Sequence, residues 1–294
     1  MAPDAKTLDD LRREIDEIDD SLHDLLIRRA AVSLDIAKVK APANGGNRVL
    51  ADSMRPAREA AILRRLLARH RGELPPRVVV GIWRQIIAAS LRAQALFEVH
   101  VFIGNGQTAF LEIAHAYFGS LAPIRTHARV SQVVNACAEE PNSLGIVPVP
   151  EIEEPGTAWW AKLAASGQAG PRVIAKLPFV SNGEEAAASA YVIGAIEQEG
   201  SGDDTTLLVL EIAPGLSRTK LKSFLKEAGL DANVVAAGRI SEKSAPDEIL
   251  AEVKGFIARD DPKLQRLADA AGEAVYRIDP IGGYANPVMV AAGR

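Results

Sequence analysis

Seven polar residues in the first hundred positions have the types and spacing to grip a small anion: Arg12, Arg29, Lys40, Arg58, Glu59, Ser90 and Gln94. Arg29 interrupts a heptad seam in which Leu11, Ile15, Ile18, Leu22, Leu25, Val32, Ile36 and Val39 follow at alternating steps of four and three. A permanent cation placed where an apolar side chain belongs must have a partner. On a helix, Lys40 falls three turns after Arg29 and within about 20° of its azimuth, so both can serve one pocket. Arg12 is about 100° away and about 25 Å below, out of reach of that pocket but within reach of the one in a second copy lying antiparallel. Ser90 and Gln94, one turn apart, project from a stripe formed by Val79, Trp83, Ile86, Ala93 and Phe97. Arg58 and Glu59 set a donor beside an acceptor. Plainer roles stand beside these: Arg29 paired with an acid such as Asp19 or Asp24 of another helix, and Ser90 and Gln94 bonded to a carbonyl or to each other.

A pocket with this charge suits a small dianion. It holds no candidate nucleophile, no His or Cys pair and no metal cluster, which argues against acyl transfer and metal-assisted hydrolysis. It suits a reaction in which a flexible dicarboxylate is held in one conformation while charge shifts onto an ether oxygen.

Three helices must position these groups. The first ends at Lys40, before Pro42, Asn44, Gly45, Gly46 and Asn47, a turn-rich stretch placed to fold over a bound ligand. A second helix starts at Pro56, with Glu59 favoured by the N-terminal dipole and an apolar face of Ile62, Leu63, Leu66 and Leu67. After Gly72 and Pro75-Pro76, a third is expected over residues 77–98. Beyond Phe97 the composition changes to that of an α/β region: a strand over 99–103, a Gly-rich turn at Gly104, a helix over 109–117, a strand from Leu144, a short helix at Trp159 and Trp160, and strands over 173–177 and 191–196. From Thr205 the order is βαββαβ, with strands over 207–212, 234–238, 249–257 and 274–278 and helices over 218–228 and 263–272.

The chain has 294 residues, 48% of them hydrophobic, enough for two or three domains. Its net charge of −4 gives no basic footprint for nucleic acid. No apolar run approaches the roughly 18 residues that span a bilayer, and the first residues are polar and acidic, so the expected location is cytoplasmic. Cys137 is the only cysteine, which excludes an intrachain disulfide and a cysteine metal cluster. It reads as a small buried hydrophobe.

Residues 8–98 resemble the all-helical chorismate mutases, through LxxxIDEIDxxLxxLLxRR and AKVK, then RPAREAAILRRL, then IWRQIIAASLRAQ. The resemblance implies a cofactor-free Claisen rearrangement of chorismate to prephenate, with no metal, in an intertwined homodimer whose long helix spans both sites. It implies that Arg29 and the partner's Arg12 bind the substrate carboxylates, that Lys40 and Gln94 hydrogen-bond the ether oxygen, and that Glu59 takes the ring hydroxyl. Arg58 and Ser90 would complete the polar shell. An Asp that binds this hydroxyl in some members falls on Arg55 here, with Asp52 a nearby substitute.

The segment 99–200 is similar to a truncated prephenate dehydratase, through GNGQTAFLEIAHAYFG and GIVPVPE, and 201–294 resembles an ACT domain, a module that senses amino acids. The fold expected is therefore multidomain: a three-helix intertwined domain at 1–98, a dehydratase-like α/β remnant at 99–200 and an ACT-like βαββαβ domain at 201–294. The dehydratase Thr-Arg-Phe aligns with Ser189-Ala190-Tyr191, and the sensor signatures survive only partly at Pro214-Gly215-Leu216 and faintly at Ala237-Gly238-Arg239. The expectation is a mutase with a structural or regulatory C-terminal region, with an aromatic amino acid as the effector to test. The rivals are a fully bifunctional mutase-dehydratase, a non-catalytic metabolite-binding regulator, and an isochorismate-pyruvate lyase.

Overall fold

The computed structural model describes residues 6–40, 50–106, 108–150, 158–167, 169–181, 188–238 and 246–290. The turn-rich stretch at 41–49, Glu151 and Arg239 lie outside them.

Helix α1 runs over Leu8–Lys40. Its start is a capping box: the Asp10 N–H donates to Thr7 Oγ1 at 3.2 Å and the Thr7 N–H donates to Asp10 Oδ2 at 3.1 Å. None of its residues is buried within the single chain. The seam side chains Leu11, Ile15, Ile18, Leu22, Leu25 and Val32 are 45–60% exposed. The short α2 (Leu50–Ser53) follows, then α3 (Pro56–Arg69) and α4 (Pro76–Gln94), each opened by a proline whose missing N–H is not needed in a first turn. α4 stops at Gln94, short of the expected Glu98. Ala95 is extended, which turns Phe97 into the core against the Phe118 ring, 6.1 Å away between centroids. The buried residues of α4 are Val79, Val80, Arg84, Ile87, Ala88 and Leu91; Val79 of the expected stripe is among them, but the buried face continues through Arg84, Ile87 and Leu91 and leaves Trp83 and Ile86 half-buried.

The remaining elements build one nine-stranded sheet. Its first part comprises β1 (Glu98–Phe102), α5 (Ala109–Phe118), β2 (Ile124–His127), α6 (Val130–Glu139), β3 (Ser143–Pro148), α7 (Trp159–Ala165), β4 (Arg172–Leu177), β5 (Val180–Ser181) and β6 (Ala190–Gly194). The second comprises β7 (Asp204–Ile212), α8 (Arg218–Glu227), β8 (Ala232–Gly238), β9 (Asp247–Lys254), α9 (Pro262–Ala271), β10 (Val275–Ala285) and β11 (Val288–Met289). β5 and β11 form a separate pair, and the large sheet has the order β2-β1-β3-β6-β4-β10-β7-β9-β8. The second part keeps the βαββαβ order read from the sequence, with α8 and α9 packed on Leu208, Leu210 and Val253.

β10 is longer than expected, and its far end joins the two halves. Gly282 pairs with Val173 of β4 at φ +107°, and a Cβ there would lie 2.1 Å from the Val173 carbonyl oxygen. Only glycine allows so close a backbone approach. Leu50 and Met54, fully buried, pack in one cluster with Val99, Phe118 and Leu144, so the helical segment sits directly on the sheet. Cys137 is buried, and burial pushes its thiol up to about 12, as expected of a small hydrophobe.

His100 is a buried polar residue of β1. Its Nδ1 lies 2.9 Å from His127 Nε2, its Nε2 lies 3.2 Å from Ser143 Oγ, and Glu98, Glu140 and Arg125 stand around it. Burial holds both imidazoles below the ordinary histidine range, helped by His127 facing His100 and by Arg125 facing His127. Unfolded histidine takes up its proton near pH 6.5, whereas these two resist it in the fold, so stability falls as pH drops below about 6.5. A His100→Gln variant is expected to show a shallower decline in melting temperature between pH 7 and pH 5.5 than the wild-type chain. Parallel slopes in a thermal melt series would show that His100 is not the group responsible.

Candidate active site

α1, α3 and α4, with Ser53 and Arg55 between α1 and α3, line a half-open cavity of about 260 Å³. Arg29, Lys40, Arg58, Glu59, Ser90 and Gln94 all line it, set among Val32, Ile36, Ile62, Ile87 and Leu91. Six of the seven site residues expected from the sequence thus meet in one hollow, and each is held by a specific contact or by its place on a helix.

Arg29 Nη1 donates to Ser90 Oγ at 2.6 Å, and the Ser90 hydroxyl donates in turn to the Ile86 carbonyl oxygen at 2.9 Å. Within the single chain, the partner of Arg29 among the described residues is therefore a hydroxyl. Burial works against its charge and lowers its pKa, but a guanidinium stays protonated at any physiological pH. Gln94 Nε2 donates to Ser33 Oγ at 2.7 Å, so Gln94 and Ser90 bond to different partners. Lys40 Nζ donates to the Asp52 carbonyl oxygen at 2.7 Å, which fixes the ammonium at the end of α1 and leaves two of its three N–H groups to point elsewhere. Arg12 stays outside. Its guanidinium is 67% exposed and meets Asp9 at 3.3 Å, one turn back on the same helix.

Glu59 has a partner that the sequence reading missed. Arg84 Nη1 donates to Glu59 Oε2 at 2.9 Å, and both side chains are at least nine-tenths buried. The Arg84 guanidinium also lies 3.8 Å from the centroid of the Tyr117 ring and donates to the Tyr117 carbonyl at 3.3 Å. Burial opposes the Arg84 charge, yet Glu59 more than offsets it and the Arg84 pKa is raised. Burial and Glu59 together push the Tyr117 phenol up, so it stays neutral. The pair keeps the Glu59 carboxylate fixed and accepting at the cavity wall. Arg84 interrupts Val80, Ile87 and Leu91 just as Arg29 interrupts the seam of α1, and that signal was available in the sequence.

Two other polar clusters lie outside this hollow. Among the described residues, Glu98, His100 and Glu140 bring candidate ligand atoms within 4.8 Å of one another. Their acids are already engaged, Glu98 with Arg125 Nε at 2.7 Å and Glu140 with the Ser143 hydroxyl at 3.1 Å. At Ser189-Ala190-Tyr191, Ala190 is buried in β6 and the Tyr191 hydroxyl donates to Glu252 at 3.0 Å. Tyr284 and Lys176 bond the same carboxylate at 2.6 and 3.3 Å. Burial raises the pKa of both phenols, and their hydrogen bonds with that of Lys176 hold Glu252 low against its own burial.

The family model described as chorismate mutase type II matches residues 11–95, so the helical N-terminal segment is a domain of that family. A bifunctional chorismate mutase/prephenate dehydratase of Pseudomonas aeruginosa is 28% identical over 144 residues, covering 49% of this chain and 39% of that protein. Its counterpart in Aquifex aeolicus is 30% identical over 146 residues, covering 48% of this chain and 38% of that protein. The matched stretch thus spans about two fifths of these relatives' length. A prephenate dehydratase structure from Streptococcus mutans aligns with 65% of this chain and 98% of its own at 14% identity, with a TM-score of 0.46, too low to carry an argument.

Removing one member of the buried pair tests its role. Arg84→Met leaves the Glu59 carboxylate buried and unanswered and is expected to lower stability by about 3–5 kcal/mol in denaturant titration. Adding Glu59→Leu to Arg84→Met is expected to recover most of the loss. If the single variant were as stable as wild type, the pair would have no structural weight.

Proposed function

We propose that the chain is a chorismate mutase that converts chorismate to prephenate without a cofactor, using the cavity between α1, α3 and α4. The observation that carries the reading is the convergence of Arg29, Lys40, Arg58, Glu59, Ser90 and Gln94 on one hollow inside the segment that matches the type II family.

In the rearrangement one C–O ether bond breaks as one C–C bond forms, in a single step that needs no proton transfer and no covalent intermediate. The protein contributes a fixed substrate conformation and donors aimed at the ether oxygen as negative charge builds there. In this reading Lys40 and Gln94 are those donors. Arg29, oriented by Ser90, takes one carboxylate. Glu59, held by Arg84, accepts from the ring hydroxyl, and Arg58 adds positive charge at the rim.

The second carboxylate falls to Arg12 of the partner subunit in an intertwined homodimer. The exposed aliphatic seam of α1 supports this, because a 33-residue helix with no buried side chain presents an apolar face that an isolated chain would leave in water. The three-segment division, 1–98, 99–200 and 201–294, remains our functional reading of a chain whose sheet is continuous. The ACT-like nature of the last segment is likewise proposed, on the βαββαβ order and the partial Pro214-Gly215-Leu216 signature. We assign the C-terminal region a structural or regulatory role with an aromatic amino acid as candidate effector. The replacement of Thr-Arg-Phe by Ser189-Ala190-Tyr191, with the Tyr191 phenol committed to Glu252, supports that role over dehydration. Phenylpyruvate formed from prephenate would favour the bifunctional alternative. Among the described residues no helix is long and apolar enough to cross a membrane, and with the biosynthetic reading goes a cytoplasmic location.

Lys40→Ala is expected to lower turnover of chorismate by at least two orders of magnitude, since one donor to developing charge contributes roughly 3 kcal/mol. Loss of chorismate absorbance at an undiminished rate would refute the assignment. The shared site has its own test. Mixing equal amounts of unfolded Arg12→Ala and Lys40→Ala chains and refolding them makes half the dimers mixed, each with one intact site, so about a quarter of wild-type activity should return. No recovery despite verified mixed dimers would show that Arg12 does not cross between subunits.

A further inference from the structure

Besides Arg29, Lys40 and Arg58 a fourth cation lines the cavity, Arg55, immediately before α3. Its guanidinium is gripped from the other end of the chain. Arg55 Nε donates to Glu199 Oε2 at 2.8 Å, and Arg55 Nη2 pairs with the other carboxylate oxygen, a two-point fork across 144 residues of sequence. Fork geometry fixes the plane of a guanidinium as well as its distance.

Glu199 is itself anchored. It lies between β6 and β7, just before a knuckle in which Asp204 accepts from the Ser201 N–H at 2.7 Å, the Ser201 hydroxyl at 2.7 Å and the Gly202 N–H at 3.1 Å. The same knuckle holds α3 at a second point. Arg64 donates to Ser201 Oγ at 2.9 Å, the Asp203 carbonyl at 2.8 Å and the Asn286 carbonyl at 3.0 Å. The helix that carries Arg58 and Glu59 is therefore clamped to the C-terminal region on both sides of those two residues. Arg55 and Glu199 are both 43% exposed, where an ion pair adds little to stability. What the fork does is fix the Arg55 guanidinium, with its Nη1 outside the fork, at the wall of a hollow already lined by Arg29, Lys40 and Arg58.

We infer that Arg55 is a further substrate-binding cation of this site and that Glu199, supplied by the C-terminal region, is its positioning residue. The inference rests on the proposed function. Arg55 meets the dianion, and Glu199 acts only through Arg55. The C-terminal region thus contributes to the mutase site without touching the substrate.

The test uses the full chain with chorismate, measuring kcat, KM and melting temperature for wild type, Arg55→Gln, Glu199→Ala and the swap of Arg55→Glu with Glu199→Arg. Arg55→Gln should raise KM about tenfold while lowering kcat far less than Lys40→Ala does, the pattern of lost binding in ground and transition state alike. Glu199→Ala should raise KM several-fold with Arg55 intact. The swap rebuilds the fork with its charges reversed, so its melting temperature should stay close to wild type while KM stays at least tenfold raised. A merely structural pair would bring KM back to wild type as well. Wild-type KM in Arg55→Gln, in Glu199→Ala or in the swap would overturn the inference while leaving the proposed function standing. An inactive wild-type chain would instead sink the function itself.

Discussion

A positive charge inside a helical bundle has to be answered, and the N-terminal segment answers its cations in two different ways. Arg84 meets Glu59 and the face of Tyr117, an arrangement in which the carboxylate more than offsets the cost of burying the charge. Among the described residues, Arg29 meets the neutral hydroxyl of Ser90 and Lys40 a backbone carbonyl, with no carboxylate paired to either. Neither contact cancels the charge. The hollow therefore keeps a positive field facing a small, largely apolar space, where electrostatic interactions are stronger than in water. Everything proposed for the site follows from that difference between an answered and an unanswered cation.

The same contrast explains how the rest of the fold serves the hollow. α1 contributes Arg29 and Lys40 but buries none of its own aliphatic seam in the single chain, where it packs on α4. α3 is placed by the sheet, through Arg64 and the knuckle around Asp204. A register shift between Pro280 and Gly283 lets Gly282 pair with Val173 of β4 while β10 stays paired with β7 through Ala285, which joins the two parts of the sheet beneath α3. A continuous support suits a site whose work is orientation, where small displacements are costly.

Much of this was legible in the sequence because the informative residues break a periodic pattern. Arg29 in the seam of α1 and Ser90 beside Gln94 on α4 stand out as polar intruders, and the structure brings them together. Arg84 is an intruder too, but it sits on the stripe through Val80, Ile87 and Leu91, hidden while the stripe was set one residue away through Val79 and Trp83. The end of α4 was misjudged because Phe97 fits the helical spacing. It is recruited instead by Phe118, a tertiary contact that no local pattern announces. β2, four residues with only partial burial, gave no alternation to read. The Arg55–Glu199 fork joins positions so far apart that only the folded chain reveals it. Arg12 stood out by type, but in the single chain it lies outside the hollow, exposed and paired with Asp9.

The central claim is that the hollow between α1, α3 and α4 holds a compact dicarboxylate by charge. The most direct measurement is calorimetric titration of the full chain with a stable bicyclic ether dicarboxylate that mimics the rearrangement's transition state, since such a mimic binds more tightly than substrate. The account predicts one molecule bound per chain, with affinity reduced at least a hundredfold by Arg29→Ala and weakened by added salt. No binding, or binding that Arg29→Ala leaves intact, would contradict it.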